Sequence, residues 1–414
     1  MISFRNGVLN INVDFKGISK LIYQICFVLY IVSTFAYADK GMVSPVMGCV
    51  LFAASMLVVI SDGSRNVTVP IVTIWYAIVT VYCALSMIWA GSSDGLYLII
   101  RMAVSCLVTT SIVLYVSDKK DFDRLTSAFI LAIFIVTVLE YSAIPSGSLF
   151  DGEVGSYFSS ENKNTVSFWV LSALILSIYK AYYGGSKICW LLAAYFVFFI
   201  VVSGSRNAIL SFFIGFFMLI AFGYRKKYYP LRILLCVAAM VAVFIFVMTN
   251  ENAYYTIGRR LESMIDQYMS DNAMYDYSMY LREHFMDVAK ELFQESPFLG
   301  AGIGSFYDRL YSEIGTNATY AHNNYWQVLS EHGIVGFVLY YWMYAYCIIK
   351  SIKKYVSEKN DTAVISLAFF LLFLIIEYAL VTIFSKQFQV VLALAFCATY
   401  IEPHDERQYR YLQK

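Results

Sequence analysis

The sequence has few residues that carry charge or bind metal ions. Of its 414 residues, 14% are Asp, Glu, Lys or Arg, and only four are histidines. So small a charged fraction excludes a soluble protein, which must cover its surface with charged side chains. The formal net charge is +1, so we expect no overall attraction to nucleic acid.

The cysteines and histidines also lack the spacing of disulfide or metal frameworks. All eight cysteines lie inside apolar segments, and neither a CxxC nor an HExxH pattern occurs. We therefore predict no disulfide framework, no metal site and no cofactor. The glycine-rich segment 300–304, GAGIG, matches neither nucleotide-binding pattern and follows a predicted helix, so it indicates a tight, flexible turn.

Apolar residues are abundant instead: they make up 60% of the chain, and its mean hydropathy is +0.63. This composition predicts an all-α polytopic membrane protein with about twelve transmembrane helices, arranged as a single transmembrane domain over residues 1–414. The predicted spans are 19–38, 43–60, 70–90, 95–116, 125–145, 164–182, 188–203, 206–223, 231–249, 326–350, 362–383 and 387–402.

The distribution of lysine and arginine predicts the orientation of these spans. If successive loops alternate between two sides, most cations fall on one side, which the positive-inside rule makes cytoplasmic. Both termini are then cytoplasmic. The short loops on the other face hold only four cations: Lys40, Lys163, Arg206 and Lys386.

One loop on the outer face, residues 250–325, is much longer than the other connections. Within it, residues 280–293 place Leu281, Phe285, Val288 and Leu292 on one helical face, with charged residues opposite. This pattern predicts an amphipathic helix that packs on the bundle or lies at the membrane interface. A long, polar loop in an otherwise short-looped protein is a natural place for chemistry.

Arginines on the outer face indicate a site for an anionic substrate, and we expect it to be phosphorylated because guanidinium groups bind phosphate oxygens in a bidentate manner. The long loop contains Arg259, Arg260, Arg282 and Arg309, and Arg206 lies in the tight turn after the seventh span. For Arg259, Arg260 and Arg309 the alternative is an ordinary solvated or headgroup-contacting side chain. Arg206 follows a glycine-containing turn, which favours a functional role.

Two further residues are candidates for chemistry. Arg101 lies inside the fourth span, where it either pairs with Glu140 or Glu377 or extends its side chain to the outer interface. His322 lies where the long loop re-enters the membrane, so it could exchange a proton or donate a hydrogen bond to phosphate. A buried, hydrogen-bonded structural histidine is the alternative.

Three segments together resemble the O-antigen ligase and O-antigen polymerase superfamily. Residues 322–337, HNNYWQVLSEHGIVGF, resemble its HN…L…E.G..G signature, and residues 203–208, SGSRNA, resemble its S.SR.a segment. The stretch from Arg282 through 296–302, SPFLGAG, resembles its R…P..G.G segment, and 162–164, NKN, is a looser match to an N.N segment.

The resemblance implies a metal-independent, inverting glycosyltransferase of the GT-C type at the periplasmic face of the bacterial inner membrane. Its donor would be an undecaprenyl-diphosphate-linked glycan, with the lipid bilayer, and a chain-length regulator or flippase, as further partners. Arg206 and Arg282 would hold the diphosphate, His322 would act at the acceptor hydroxyl or the departing phosphate, and Asn323 would contact substrate. Arg101, Arg259 and Arg260 are additional substrate-binding candidates.

Three functions stay open at this stage. A polymerase, which joins lipid-linked repeat units into O-antigen or capsular polysaccharide, is favoured because residues 322–336 look more like polymerase members. A ligase would transfer the lipid-linked glycan to lipid A-core. A lipid-linked oligosaccharide flippase or other secondary transporter would also have twelve helices, but it should place ionisable groups near the membrane midplane.

Overall fold

The computed structural model describes residues 2–401, with gaps at 6–7, 12–13, 38–41, 64–68, 91, 93, 152, 160–161, 222–228, 260–261, 263–276, 316–318 and 359. A short antiparallel hairpin, β1 (Ile2–Arg5) with β2 (Val8–Ile11), precedes the first helix. The remaining described residues are helical or form turns, as the composition predicts.

Each of the twelve predicted apolar runs corresponds to one helix in the described part of the chain. These helices are α1 (Phe15–Ala36), α2 (Val43–Ser61), α3 (Ile71–Ala90), α4 (Gly95–Tyr115), α5 (Lys119–Ala143), α6 (Lys163–Tyr182), α7 (Lys187–Val202), α8 (Arg206–Ala221), α9 (Tyr229–Thr249), α12 (Asn324–Glu358), α13 (Asp361–Ile376) and α14 (Lys386–Tyr400). The long loop contains a turn at Glu251–Ala253, a π-helical turn at Tyr254–Gly258, α10 (Tyr277–Glu295) and α11 (Ser305–Ile314).

Seven of the described helices, α1 to α6 and α12, are long and apolar enough to cross a membrane. Helices α7, α8 and α13 are apolar but shorter. The chain therefore has the architecture of a multi-pass membrane protein, which confirms the coarse prediction. The number of twelve crossings stays a prediction.

Side-chain caps determine where several helices begin. The Asp14 carboxylate accepts a hydrogen bond from the Gly17 N–H at 2.9 Å, and Asp118 accepts one from the Asp121 N–H at 2.8 Å. Such caps satisfy N–H groups that have no partner in the first turn. Helix α5 consequently begins at Lys119, earlier than the predicted residue 125, because its first turn is charged and hydropathy alone does not detect it.

Helices α6, α13 and α14 form the centre of the bundle, since nearly all of their residues are buried. Helix α13 ends at Ile376, short of the predicted residue 383. The chain turns there because Asn324 binds the segment that follows: its N–H donates to the Glu377 carbonyl at 2.8 Å, and its side-chain oxygen accepts from the Thr382 N–H at 2.9 Å.

Helix α12 is broken at Gly333, whose φ of 63° and ψ of −168° are not helical. The break lets the backbone on either side of Gly333 bond to the glycine-rich turn after α10. Ala301 and Gly302 donate to the carbonyls of Ser330 and Glu331 at 2.9 and 2.8 Å. In return, the N–H groups of residues 334 and 335 donate to the carbonyls of residues 297 and 298 at 2.9 and 3.2 Å.

The expectation of a flexible turn at 300–304 is therefore wrong. A Cβ on Gly300 would lie 2.3 Å from the backbone of Glu331 and His332, and a Cβ on Gly333 would lie 2.3 Å from the Phe298 carbonyl oxygen. Helix α3 also holds the turn, because the Trp89 indole donates to the Gly300 carbonyl at 3.1 Å. These glycines are required for close backbone packing.

Gly300→Ala should destabilise the protein more than Gly315→Ala. Both glycines have positive φ, so both substitutions incur about 1–2 kcal/mol of backbone strain. Only Gly300 has backbone within contact distance, whereas a Cβ on Gly315 meets nothing within 4 Å. The additional overlap should cost about 1–3 kcal/mol. Thermal unfolding of the purified proteins in detergent measures the difference, and equal midpoints for the two variants would contradict this packing.

Candidate functional site

Several helix ends meet at the start of α12. Asn324 bonds to the turn after α13, as described above, and Ile376 at the end of α13 lines a narrow cavity with Ser205 and Asn164. The Ser205 hydroxyl donates to the Asn164 side-chain oxygen at 3.0 Å. The N.N segment and the S.SR segment, separate in sequence, are therefore in contact beside the His-Asn-Asn segment.

The turn before Arg206 is held against α6. The Ser167 hydroxyl donates to the Ser203 hydroxyl at 3.0 Å, and both side chains are buried. Arg206 begins α8 directly after this turn, at the same end of the bundle as the start of α12. The side chain of Arg206 lies outside the described residues.

A second hydrophobic core places α10 beside the start of α12. Phe285, Val288 and Leu292 of α10 are buried against Phe306 of α11 and Ala321. The predicted apolar face of the amphipathic helix is thus confirmed, and it packs on neighbouring protein segments. Since the helix is fixed on this face, the position of Arg282, one turn before Phe285, is fixed as well.

His322 is packed between two aromatic rings. Its imidazole stacks on Phe285, with ring centroids 5.9 Å apart and planes inclined by 14°, and it lies 4.3 Å from the ring of Tyr320. Its φ of 52° makes it the only non-glycine residue with positive φ in the described part of the chain. Such strain, about 1–3 kcal/mol, is typical of functional sites.

Side chains of the first turn of α12 hold His322 in this conformation. The Gln327 side-chain oxygen accepts from the Ala321 N–H at 2.9 Å, and the Asn323 side-chain oxygen accepts from the Trp326 N–H at 3.1 Å. Asn323 is 1% exposed, and its amide also contacts the Met286 sulfur at 3.7 Å. Asn323, predicted as a substrate contact, therefore serves first as a helix cap.

The imidazole of His322 is neutral at physiological pH. Burial, together with the positive charge of the nearby Arg282, lowers the pKa of His322 to about 4. The Nδ1 atom is buried, and nothing in the described part of the chain forms a hydrogen bond with it. A neutral, partly unbonded imidazole beside a guanidinium group can accept a proton or a hydrogen bond from an incoming group.

Arg101 does not pair with either predicted carboxylate. Its guanidinium lies over the ring of Tyr97, 5.6 Å from the centroid. Glu140 accepts three backbone N–H groups of the following loop at 2.8–3.2 Å, and Glu377 accepts hydroxyl groups from tyrosines of α12 at 2.6 and 2.8 Å. The pairing prediction is wrong because both carboxylates are satisfied by donors close to them.

Arg259 and Arg309, the other long-loop arginines with described side chains, are separate from this packing. Arg309 forms an ion pair with Glu295 at 2.6 Å, and the hydrogen bond that it donates to this carboxylate raises the pKa of Arg309. Arg259 is exposed. Arg260 lies outside the described residues. Of the predicted site residues with described side chains, the structure brings together Arg282, His322 and Asn323.

Residues 191–341 match the family model described as O-antigen ligase. The predicted resemblance to the O-antigen ligase and polymerase superfamily is therefore confirmed. The matched segment runs from α7 into α12 and includes Arg206, Arg282 and His322. No curated protein matches the chain.

Several residues that build the site were not predicted as site residues from the sequence. Phe285 and Tyr320 form the walls around His322, while Asn324 and Gln327 fix the backbone on either side. Phe285 had a sequence signal, because it lies on the apolar face of the amphipathic helix. Tyr320 had none beyond its closeness to His322 in the chain.

The protonation state of His322 can be measured directly. Nuclear magnetic resonance of the full-length protein with ¹⁵N-labelled histidine should show that the imidazole of His322 stays neutral as the pH falls from 7 to about 5. That signal should be missing in His322→Gln. In Arg282→Gln the protonation midpoint of His322 should rise. The rise should be smaller than the decrease that burial causes, because burial is the larger of the two effects. A midpoint near 6.5 for His322 in the natural chain would contradict the packing described here.

Proposed function

We propose that the protein is a glycosyltransferase that joins polyprenyl-diphosphate-linked oligosaccharide units into O-antigen or capsular polysaccharide. The family that residues 191–341 match consists of glycosyltransferase-like enzymes that act on lipid-linked glycans. The observation that carries the proposal is the neutral His322, which lies beside Arg282 at the start of α12. A base and an anion-binding cation are the two groups that this transfer requires.

In this reaction a hydroxyl of the acceptor sugar attacks the anomeric carbon of the donor. The new carbon–oxygen bond forms as the bond to the diphosphate breaks, and the configuration inverts. The neutral imidazole of His322 takes the hydroxyl proton. The arrival of the anionic diphosphate beside Arg282 offsets the charge of that arginine, which raises the proton affinity of His322 at the moment it is needed.

Arg282 and Arg206 hold the diphosphate and stabilise it as a leaving group. Two guanidinium groups can neutralise the charge that develops on its oxygens, so the proposed reaction does not depend on a metal ion. The contact between the segment before Arg206 and the start of α6 supports a position for Arg206 at this end of the bundle. Arg101, Arg259 and Arg260 are proposed as secondary contacts to the glycan or its lipid.

The proposed location is the bacterial inner membrane, with twelve crossings, a GT-C type fold, both termini in the cytoplasm and residues 250–325 in the periplasm. Lysines concentrate at the helix ends away from His322, among them Lys20, Lys119 and Lys180, which supports this orientation. The donor is then an undecaprenyl-diphosphate-linked glycan. A flippase that supplies it and a chain-length regulator are the proposed protein partners.

A ligase that transfers the same donor to lipid A-core is the second candidate. It is favoured by the description of the matched family, O-antigen ligase. Donor binding and leaving-group chemistry are identical in the two enzymes, so only the acceptor distinguishes them.

Arg206→Ala, Arg282→Ala and His322→Ala should each reduce glycan transfer about 100-fold or more, because each removes either charge stabilisation or the base. Complementation of a deletion strain, read as loss of long glycan bands on a gel, measures this effect. Arg309→Ala is a matched control, since it removes an arginine from the same loop that is already paired with Glu295. Normal banding in the three variants, with normal membrane insertion, would contradict the proposal.

Deletion of the gene should distinguish the two acceptors. Loss of a polymerase leaves lipopolysaccharide core that carries a single repeat unit, because ligation still proceeds. Loss of a ligase leaves bare core and causes lipid-linked chains to accumulate. We expect the single repeat unit, and bare core would assign the protein as the ligase.

A further inference from the structure

A cavity of about 980 Å³ lies between α1 and α5, with Lys180 of α6 at its edge. It is at the end of the bundle away from His322. Helix α6 begins next to the Asn164–Ser205 contact, and Lys180 follows sixteen residues later, about 24 Å along the helix axis. The cavity is therefore separate from the site described above.

Cations surround one end of the cavity. Lys119, Lys120, Arg124 and Lys180 line it, whereas its single carboxylate is that of Asp123. Lys119 is paired with Asp123 at 3.0 Å, and Lys180 donates to the Asp123 carbonyl at 2.6 Å. Lys120 and Arg124 are both exposed, and no carboxylate in the described part of the chain forms an ion pair with either of them.

The rest of the cavity is apolar. Leu21, Ile25 and Leu29 of α1 and Leu131 of α5 line it and are 51–56% exposed. From Leu21 to Leu29 this wall extends about 12 Å from the helix ends towards the middle of the bundle. A flat surface facing lipid would also expose leucine and isoleucine. The concave shape, with unpaired cations at one end only, instead matches a molecule with an anionic head and an apolar tail.

We propose that this cavity binds an anionic phospholipid. Its phosphate lies between Lys120 and Arg124, which are one helical turn apart on α5, and an acyl chain lies along Leu21, Ile25 and Leu29. The Arg124 guanidinium can bind two phosphate oxygens at once, and the Lys120 ammonium adds a second positive charge. The lipid fills the groove between α1 and α5 and joins the two helices.

Native mass spectrometry of the full-length protein in detergent tests the proposal. Phosphatidylglycerol should bind more tightly than phosphatidylcholine with the same acyl chains. The double variant Lys120→Gln/Arg124→Gln should bind phosphatidylglycerol about 25-fold more weakly, a factor of about five for each cation removed. Ile25→Trp, which narrows the groove without a change of charge, should weaken binding of phosphatidylglycerol as well.

The matched control is Lys187→Gln/Lys353→Gln, which removes two exposed cations from the same end of the bundle but outside the cavity. It should bind phosphatidylglycerol like the natural chain. Equal binding of the two lipids would overturn the proposal, as would unchanged binding by the Lys120→Gln/Arg124→Gln variant. Displacement of the lipid by an equal concentration of glycerol phosphate would show a site for free phosphate and would also overturn it.

Discussion

Four backbone hydrogen bonds between residues 297–302 and the break in α12 hold the long loop on the helical bundle. They form only because Gly300 and Gly333 let two backbones approach without a Cβ between them. Helix α10 ends just before this contact and α11 begins just after it. The contact therefore fixes the positions of both helices. The second core, the stacking of Phe285 on His322 and the place of Arg282 all depend on this contact.

Two buried carboxylates, those of Glu140 and Glu331, bind the backbone of turns. Glu140 binds the backbone of the loop before α6, and the Glu331 carboxylate accepts from the Phe306 N–H at 3.3 Å, at the start of α11. A buried carboxylate is costly unless donors bind it, and the donors are turn N–H groups for Glu140 and Glu331 and tyrosine hydroxyls for Glu377. The arginines therefore carry the charge that is available for chemistry. The neutral His322 lies beside one of them, Arg282, and is available as a base.

The structural features that could be predicted are those that follow from periodic patterns in the sequence. Apolar runs of helical length identified twelve of the described helices, and the spacing of Phe285, Val288 and Leu292 identified the buried face of α10. Contacts between distant segments could not be predicted in this way. The end of α13 at Ile376 depends on bonds to Asn324, and the rigidity of the glycine turn depends on Gly333. A hydropathy pattern cannot predict these contacts, because they join residues that are far apart in the chain.

The central claim is that Arg282, Arg206 and His322 form one diphosphate-binding site at the start of α12. Cryo-electron microscopy of the full-length protein with a bound polyprenyl-diphosphate-linked sugar tests it most directly. The account predicts density for the diphosphate in contact with both guanidinium groups. The diphosphate should also lie within hydrogen-bonding distance of the His322 imidazole. Density for the diphosphate elsewhere, with His322 enclosed by Phe285 and Tyr320 and away from the lipid, would contradict it.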